Sequence, residues 1–213
     1  MILHGYWRSG AAYRTRIALE LKGLAYGQQG VDLRTGAQRS EAFVALNPQG
    51  MVPALEVDGA VLTQSPAILE WLEEAHPAPA LLPADPLERA HVRAMAALIG
   101  CDIHPLNNTS VLTRIKLEFS ASEEHVGEWY RHWIKLGFNA LEHQVAKHPD
   151  TAYVFGDEPT LADVMLVPQM ANARRFKTDL SPFPRLVAWD ERARAHPAFI
   201  KAAPENQKDA VKQ

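Results

Sequence analysis

Cysteine is nearly absent from this sequence, which has a single one, Cys101, among 213 residues. A lone cysteine cannot form an internal disulfide bond, so the fold must be stabilised without one. The first five residues lack the basic flank and apolar run of a secretion signal, and no apolar stretch is long enough to cross a membrane. These absences predict a cytoplasmic protein without a membrane span.

An excess of positive charge is also missing, because 22 Lys and Arg face 25 Asp and Glu, for a formal net charge of -3. Nucleic acids and anionic membranes are bound by basic surfaces that displace counterions. The charge balance therefore argues against both as partners. Any anionic substrate must be held by a few locally placed cations.

Metal-binding motifs are absent as well. The nine histidines include the pairs His125 with His132 and His143 with His148, but no His-Glu-x-x-His motif. Zinc sites need closely spaced ligands of that kind, so no metal is expected and these histidines are assigned to exposed helix faces. Cys101 follows a short apolar run and is predicted to be a buried small side chain rather than a nucleophile.

The composition that remains is that of a globular protein, with 47% hydrophobic and 22% charged residues. A chain of 213 residues is long for one ordinary domain and short for two large ones, so two compact parts are expected. We predict an α/β domain over residues 1–80 and an all-helical domain over residues 81–213.

The first eighty residues alternate short apolar runs with helical patterns, an order typical of an α/β unit. Strands are predicted at residues 2–4 and near residues 26–33. The helix between them ends at Gly23. This part of the sequence therefore predicts a βαβ arrangement.

A second arrangement, ββα, follows it. Asp58-Gly59 is a turn dipeptide between two apolar runs, which predicts a β-hairpin. Ser65-Pro66 then opens a further helix, with Ser65 as the N-cap and Pro66 in the first turn.

Prolines mark the end of this domain, with four of them between residues 76 and 86, where they cannot continue a helix. Beyond them the pattern is helical in five segments, 87–101, 105–119, 123–147, 161–176 and 185–195. Thr160 and Asp163 form a capping box at the start of the fourth. The polar tail from Pro204 to Gln213 is expected to fray.

Two short motifs in the first domain suit an extended peptide. Val52-Pro53 lies directly before the hairpin, where a cis bond would turn the backbone of Val52 outward to pair with such a peptide, whereas a trans proline would only end a loop. Gln64-Ser65 presents a hydroxyl and backbone N–H groups that suit a carboxylate, although a Ser-Pro helix start also serves purely as a cap. These residues alone leave both interpretations open.

Taken together, these features resemble the glutathione transferases along nearly the whole chain. They are a thioredoxin-like βαβ-ββα half, a Val-Pro before the third strand, a Gln-Ser at the next helix, a proline-rich linker and an all-helical second half. The local motifs are similar to the zeta class, which includes maleylacetoacetate isomerase and maleylpyruvate isomerase. The similar runs are residues 7–19, 45–53, 64–70, 101–108, 161–163, 166–169 and 172–176.

The resemblance implies that glutathione is the cofactor. Its cysteinyl backbone would pair with Val52, beside Pro53, and its γ-glutamyl carboxylate would lie on Gln64 and Ser65. Gln38 would approach the glycyl end. The other residues that the resemblance places around the tripeptide are Ser9, Gly10, Ala11, His104, Asn108 and Ser110.

A thiol needs help to ionise, because its ordinary pKa of about 8.5 leaves only a few per cent as thiolate at neutral pH. Ser9 stands at the predicted start of the first helix, where a hydroxyl hydrogen bond and the positive helix end both favour thiolate. Ser9 is therefore assigned the catalytic role. Arg8 and Arg175, within the similar runs, are the candidates for binding the carboxylates of a small dicarboxylate and stabilising its enolate.

At two places the sequence departs from the class pattern. Many members carry a second serine with a cysteine or alanine after it, whereas here Ser9 is followed by Gly10 and Ala11, which disfavours redox or thioltransferase chemistry. Ser110 stands where some bacterial relatives have arginine. The identity of the substrate is thereby left open more than the type of reaction.

The resemblance implies a cytoplasmic homodimeric enzyme that isomerises maleylacetoacetate to fumarylacetoacetate. Thiolate addition to the cis double bond, rotation and elimination would return glutathione unchanged. The alternatives are the same chemistry on maleylpyruvate, general glutathione transfer to small α-halo acids, and a non-catalytic binding protein of the same fold. Arg8, Ser9 and Gln64-Ser65 argue against the last.

Overall fold

A computed structural model describes residues 1–211 of the chain. It divides into two compact units, one formed by Met1–Leu81 with the segment from Arg194 onward, the other by Leu82–Ala193. The division after Leu81 lies one residue from the predicted boundary. Within residues 1–211, no helix is both long enough and apolar enough to span a membrane.

A four-stranded mixed sheet forms the centre of the first unit. Its strands are β1 (Ile2–Gly5), β2 (Gly27–Gly30), β3 (Ala54–Val57) and β4 (Ala60–Thr63), in the spatial order β2-β1-β3-β4. β1 and β2 are parallel and the other pairs are antiparallel. The predicted hairpin is confirmed, with Asp58 and Gly59 both at positive φ in the β3–β4 turn.

Three helices accompany this sheet: α1 (Gly10–Leu21), α2 (Glu41–Leu46) and α3 (Ser65–Ala75). α1 and α3 pack against each other and bury apolar side chains such as Ile17, Leu19, Ile68 and Leu72. Ile68 and Leu72 stand four apart on one face of α3, whereas α1 is buried at every position from Gly10 to Leu19. The predicted βαβ-ββα order is confirmed.

The C-terminal segment belongs to the first unit, which differs from the predicted extent of the helical domain, 81–213. A short helix, α9 (Pro197–Ala202), packs on α1, and Lys201 Nζ lies 2.7 Å from Glu20 Oε2. Gln207 is buried and donates to the carbonyl of Ala203 at 2.7 Å. The expectation that the tail frays is wrong for residues 204–211, because these polar groups find partners within the unit; residues 212 and 213 lie outside the described part.

The second unit is built from helices. They are α4 (Pro86–Ala97), α5 (Thr109–Phe119), α6 (Glu123–Val145), α7 (Leu161–Arg175) and α8 (Pro184–Arg194), with a π-helical segment at Leu98–Ile103 and a 3₁₀ turn at Pro105–Asn107. α7 is buried along most of its length and lies at the centre of the unit's core. The predicted helical character is confirmed. Cys101 is exposed in the π-helical segment, so its predicted burial is wrong: the altered winding turns this position to solvent.

The start of α7 is closed by the predicted capping box. Asp163, fully buried, accepts hydrogen bonds from the backbone N–H of Thr160 at 2.8 Å and of Val154 at 3.1 Å. Thr160 Oγ1 in turn accepts from the N–H of Ala162 at 3.3 Å. Burial raises the pKa of Asp163 to about 6, against a lowering effect of these hydrogen bonds.

This raised pKa predicts a pH dependence of stability. Between the ordinary value of 3.8 and about 6 the folded chain holds a proton on Asp163 that the unfolded chain has released. The contribution of Asp163 to stability is therefore full below pH ~4 and falls as the pH rises through 6. We expect the free energy of unfolding of wild type, minus that of Asp163→Asn, to decrease by about 1–3 kcal/mol between pH ~4 and ~7.

Denaturant unfolding of both proteins at the two pH values measures this difference. Groups that titrate in both proteins cancel in the subtraction. A difference that stays constant, or grows with pH, would show that the hydrogen bonds to Asp163 outweigh its desolvation.

Candidate active site

Three predicted site segments meet at one edge of the sheet. The register pairs His4 with Ala54 and Ala54 with Thr63, so β1 and β4 end where β3 begins. The loop after β1, residues 6–9, the residues before β3 and the residues after β4 therefore lie side by side. The Val52–Pro53 bond is cis.

Ser9 lies at the start of the first helix, as predicted, and is the N-cap of α1. Its Oγ accepts a hydrogen bond from the N–H of Ala12 at 3.3 Å, and its own N–H donates to the carbonyl of Tyr6 at 2.9 Å. Because the oxygen acts as the acceptor in the cap, the hydroxyl hydrogen can be donated to a ligand. The positive end of α1, starting at the buried Gly10 and Ala11, favours negative charge at the same place.

Arg8 precedes this cap and is half-buried. Its guanidinium carbon lies 5.4 Å from the centre of the Trp7 ring, a distance at which a cation and an aromatic face attract each other. The aromatic ring thus supports the arginine beside Ser9.

Ser65 does not cap α3, which corrects the prediction. The N-cap is Gln64, at φ 66°, and Ser65 is the first residue of the helix. The hydroxyl of Ser65 is buried and accepts instead from a guanidinium nitrogen of Arg14 at 3.4 Å. Tertiary contact with α1 has replaced the local cap.

Arg14, which contacts Ser65, is a residue of the candidate site that the sequence analysis does not identify. Its side chain is buried within α1, although arginine is almost never buried without partners. The sequence did carry one sign of its burial, because Arg14 lies within the run of positions that α1 buries. Its charge adds to the positive end of α3, so Ser65 lies where a carboxylate is favoured.

The loop before β3 is joined to the same region. Gln64 Nε2 donates to Gln49 Oε1 at 2.6 Å. Gly50 has φ 61°, and a Cβ there would lie 3.0 Å from the carbonyl oxygen of Gln38, so only glycine fits both the backbone and the space. Gln38 Oε1 is buried and has no hydrogen-bond partner within residues 1–211.

Three candidate residues of the second unit lie at or just before the start of α5: His104, Asn108 and Ser110. Asn108 caps this helix, and its Oδ1 accepts from both the N–H of Ser110 at 3.0 Å and its hydroxyl at 3.2 Å. The half-buried His104 follows the π-helical segment. Ile103 packs against Gly137, where a Cβ would lie only 2.2 Å from its Cδ1, so a glycine on α6 is needed to seat this segment.

Arg175, the last residue of α7, is exposed. Its guanidinium carbon lies 5.0 Å from the centre of the Phe176 ring, and that ring stacks on Tyr130 at 3.5 Å. Burial raises the pKa of Tyr130, and a hydrogen bond and the charge of Arg175 oppose this effect. The aromatic pair therefore orients Arg175.

No group of three or more His, Cys, Asp or Glu side chains in the described part of the chain is arranged to hold a metal ion. In the first unit, the positively charged features beside Ser9 and Ser65 are the guanidinium groups of Arg8 and Arg14 and the positive ends of α1 and α3.

Comparison with known families agrees with this geometry. Residues 8–75 match the family model of the glutathione S-transferase N-terminal domain, and residues 127–192 match that of the C-terminal domain. Together they cover more than half of the chain. The chain belongs to the glutathione S-transferase family.

Individual relatives of this transferase match over almost its full length. Maleylacetoacetate isomerase of Pseudomonas aeruginosa is 51% identical over 98% of this chain and 98% of its own. The holo structure of maleyl pyruvate isomerase, a bacterial zeta-class transferase, is 50% identical, with a TM-score of 0.97 over 99% of this chain and 100% of its own. A maleylacetoacetate isomerase of Anaeromyxobacter dehalogenans, solved with dicarboxyethyl glutathione and citrate in the active site, is 44% identical, with a TM-score of 0.88 over 99% and 93%.

Proposed function

We propose that this transferase isomerises maleylacetoacetate to fumarylacetoacetate with glutathione as its cofactor. One observation carries the proposal. At one edge of the sheet of the first unit, the hydroxyl of Ser9 at the start of α1 can donate a hydrogen bond, and Arg14 adds positive charge at the start of α3. High identity to isomerases of this kind supports it.

The residues present suit glutathione. Ser65, backed by Arg14 and the positive end of α3, would hold the γ-glutamyl carboxylate. The backbone of Val52 would pair with the cysteinyl residue, and Gln38 would approach the glycyl end. Ser9 would donate to the sulfur.

Bound glutathione supplies a thiolate that adds reversibly to an activated double bond and leaves again after rotation. Ser9 holds the sulfur in its charged form by donating a hydrogen bond, and the end of α1 stabilises that charge. Arg8 and Arg175 would bind the two carboxylates of the substrate, and Arg8, beside Ser9, would stabilise the negative charge that develops on its carbonyl oxygen. His104, Asn108 and Ser110 are proposed as further residues around the thiol.

The relative from Anaeromyxobacter dehalogenans supports this chemistry. Its ligand, dicarboxyethyl glutathione, is named for a saturated two-carbon unit that carries two carboxylates. Such a unit is what thiol addition to a four-carbon unsaturated diacid produces. The citrate bound in the same active site is likewise a small polycarboxylate.

Assay of the purified protein with maleylacetoacetate, with and without glutathione, tests the proposal. We expect fumarylacetoacetate only when glutathione is present, no net loss of glutathione, and no product with S-methylglutathione, whose sulfur is blocked. Stoichiometric consumption of glutathione would instead identify a conjugating transferase, and binding without turnover a binding protein.

Maleylpyruvate is the second candidate substrate. It is favoured by the TM-score of 0.97 to maleyl pyruvate isomerase. A kcat/KM at least tenfold higher on maleylpyruvate than on maleylacetoacetate would transfer the proposal to that substrate.

Substitution of Arg175 tests the role in carboxylate binding. Loss of a charge-assisted hydrogen bond in Arg175→Ala is expected to raise KM for the substrate about tenfold, with kcat within about twofold of wild type. Arg114→Ala, which removes an exposed arginine of α5, serves as the control. Steady-state kinetics with saturating glutathione separate the two, and an unchanged KM in Arg175→Ala would contradict the role.

A homodimer in the cytoplasm completes the proposal. The homodimer is proposed from the class resemblance. The cytoplasm is proposed because a single cysteine suits a reducing compartment. Light scattering after size exclusion tests the assembly, for which a mass of twice the chain is expected.

A further inference from the structure

The turn that leads into Ser9, residues 6–9, is restrained by hydrogen bonds from side chains elsewhere in the first unit. The turn closes with the hydrogen bond from Ser9 N–H to the carbonyl of Tyr6. Between them, Trp7 uses both of its backbone groups: its N–H donates to Asp209 Oδ2 at 3.1 Å, and its carbonyl accepts from Arg16 at 2.9 Å. The conformation of the turn is thus determined at three points.

Arg16 connects this turn to the C-terminal segment. Its side chain is buried, its Nε donates to the carbonyl of Ala202 at 2.9 Å, and its guanidinium carbon lies 5.5 Å from the centre of the Tyr13 ring. Burial lowers the pKa of Arg16 to about 10, and the charge of Asp209 is among the effects that oppose this. A buried guanidinium is costly unless its donors are satisfied, so these bonds keep it in one place.

Packing alone does not determine the position of the turn. A cavity of about 210 Å³ lies beside it, lined by Trp7, Arg16 and Asp209 among others. This pocket is open to solvent, so packed side chains do not restrain the turn on that side and the hydrogen bonds to the backbone of Trp7 carry more of the restraint.

We propose that Asp209 is a positioning residue, which acts through the backbone of Trp7 to hold Arg8 and Ser9 in their working places. The inference rests on the proposed function, because it assigns the turn its importance through Ser9. Asp209 lies outside both ranges that match the family models, 8–75 and 127–192. A small displacement of a catalytic group is enough to lower a rate severalfold, even when the residue that causes it is remote.

The test uses three variants. Asp209→Ala removes the acceptor, Asp209→Asn removes the charge and keeps an oxygen that can accept from Trp7, and Glu205→Ala removes an exposed charge from the same segment as a control. Amide hydrogen exchange of residues 6–9 in the ligand-free protein reports the turn itself. We expect exchange at Trp7 to be about fivefold faster in Asp209→Ala, restored by Asp209→Asn and unchanged in Glu205→Ala.

The second measurement is the pKa of the thiol of bound glutathione, followed by thiolate absorbance. Asp209→Ala is expected to raise this pKa by about half a unit and to lower kcat about three- to tenfold, with the Kd for glutathione within about twofold. In a Ser9→Ala background the Asp209→Ala change should no longer shift the thiol pKa, because its effect passes through Ser9.

Asp209→Ala values equal to those of Glu205→Ala, in exchange and in thiol pKa, would overturn the inference. So would an equal shift of the thiol pKa in the presence and absence of Ser9. If Ser9→Ala by itself leaves the thiol pKa unchanged, the proposed role of Ser9 is wrong. The exchange at Trp7 then still decides whether Asp209 holds the turn.

Discussion

Ser9→Ala is expected to lower kcat at least about a hundredfold, while the Kd for glutathione changes less than about threefold. A single hydrogen bond to a developing or stabilised charge contributes about 3 kcal/mol or more in a preorganised site. The contacts proposed for binding, around Ser65 and Val52, are untouched by the change. The lower kcat should therefore result from weaker ionisation of the thiol, not from weaker binding of glutathione.

The variant also removes a helix cap, and a matched control separates the two effects. Ser122 caps α6 in the same way, with its Oγ accepting from the N–H of His125 at 3.2 Å. Ser122→Ala should cost about 1 kcal/mol of stability and leave kcat unchanged. Kinetics, glutathione titration and the thiol pKa of both variants complete the comparison; equal small losses of kcat would contradict the role of Ser9.

Lys22→Met is expected to lower the free energy of unfolding of the protein by about 3–5 kcal/mol. Lys22 is buried at the end of α1, where its ammonium donates to Glu73 at 2.8 Å and to the carbonyls of His76 and Pro79 at 2.7 and 2.9 Å. The same carboxylate accepts from the N–H of Leu81. Removal of the ammonium leaves a buried negative charge and two carbonyls without their donor.

Denaturant unfolding measures the effect, and two further variants define it. In Lys22→Met with Glu73→Gln the unpaired charge is gone, so part of the lost stability should return. Lys116→Met breaks the exposed pair with Glu123 and should cost less than about 1 kcal/mol. If Lys22→Met lowers the free energy of unfolding no more than Lys116→Met does, water must reach the Lys22–Glu73 pair.

Local sequence patterns were enough to predict a structural feature where its physical cause lies within a few residues. The Asp58-Gly59 turn, the helix start at Ser9 and the Thr160 capping box each depend on short-range hydrogen bonds and backbone preference, and all three are confirmed. The helical character of the second half is confirmed as well: α6 buries one face at helical spacing, whereas α7 is buried on nearly all sides.

Two of the three incorrect predictions concern groups whose partners are distant in sequence, and the third concerns an irregular helical segment. Ser65 has the residue type of a cap, but Arg14, 51 residues away, takes its hydroxyl. Cys101 follows an apolar run, yet a π-helical segment turns it outward. The polar tail has the composition of a frayed end, but Asp209 in it accepts from the N–H of Trp7, 202 positions earlier.

The sequence by itself determined the class of fold, the glutathione transferase resemblance and the residue types that chemistry on a small diacid needs, because these are written in local order and composition. Only the tertiary structure decided which cations support the site. Arg14 and Arg16 lie on one helix within similar sequence surroundings, and one contacts Ser65 while the other holds the backbone of Trp7. A buried charge is positioned by whatever accepts its hydrogen bonds, and that partner is known only once the chain has folded.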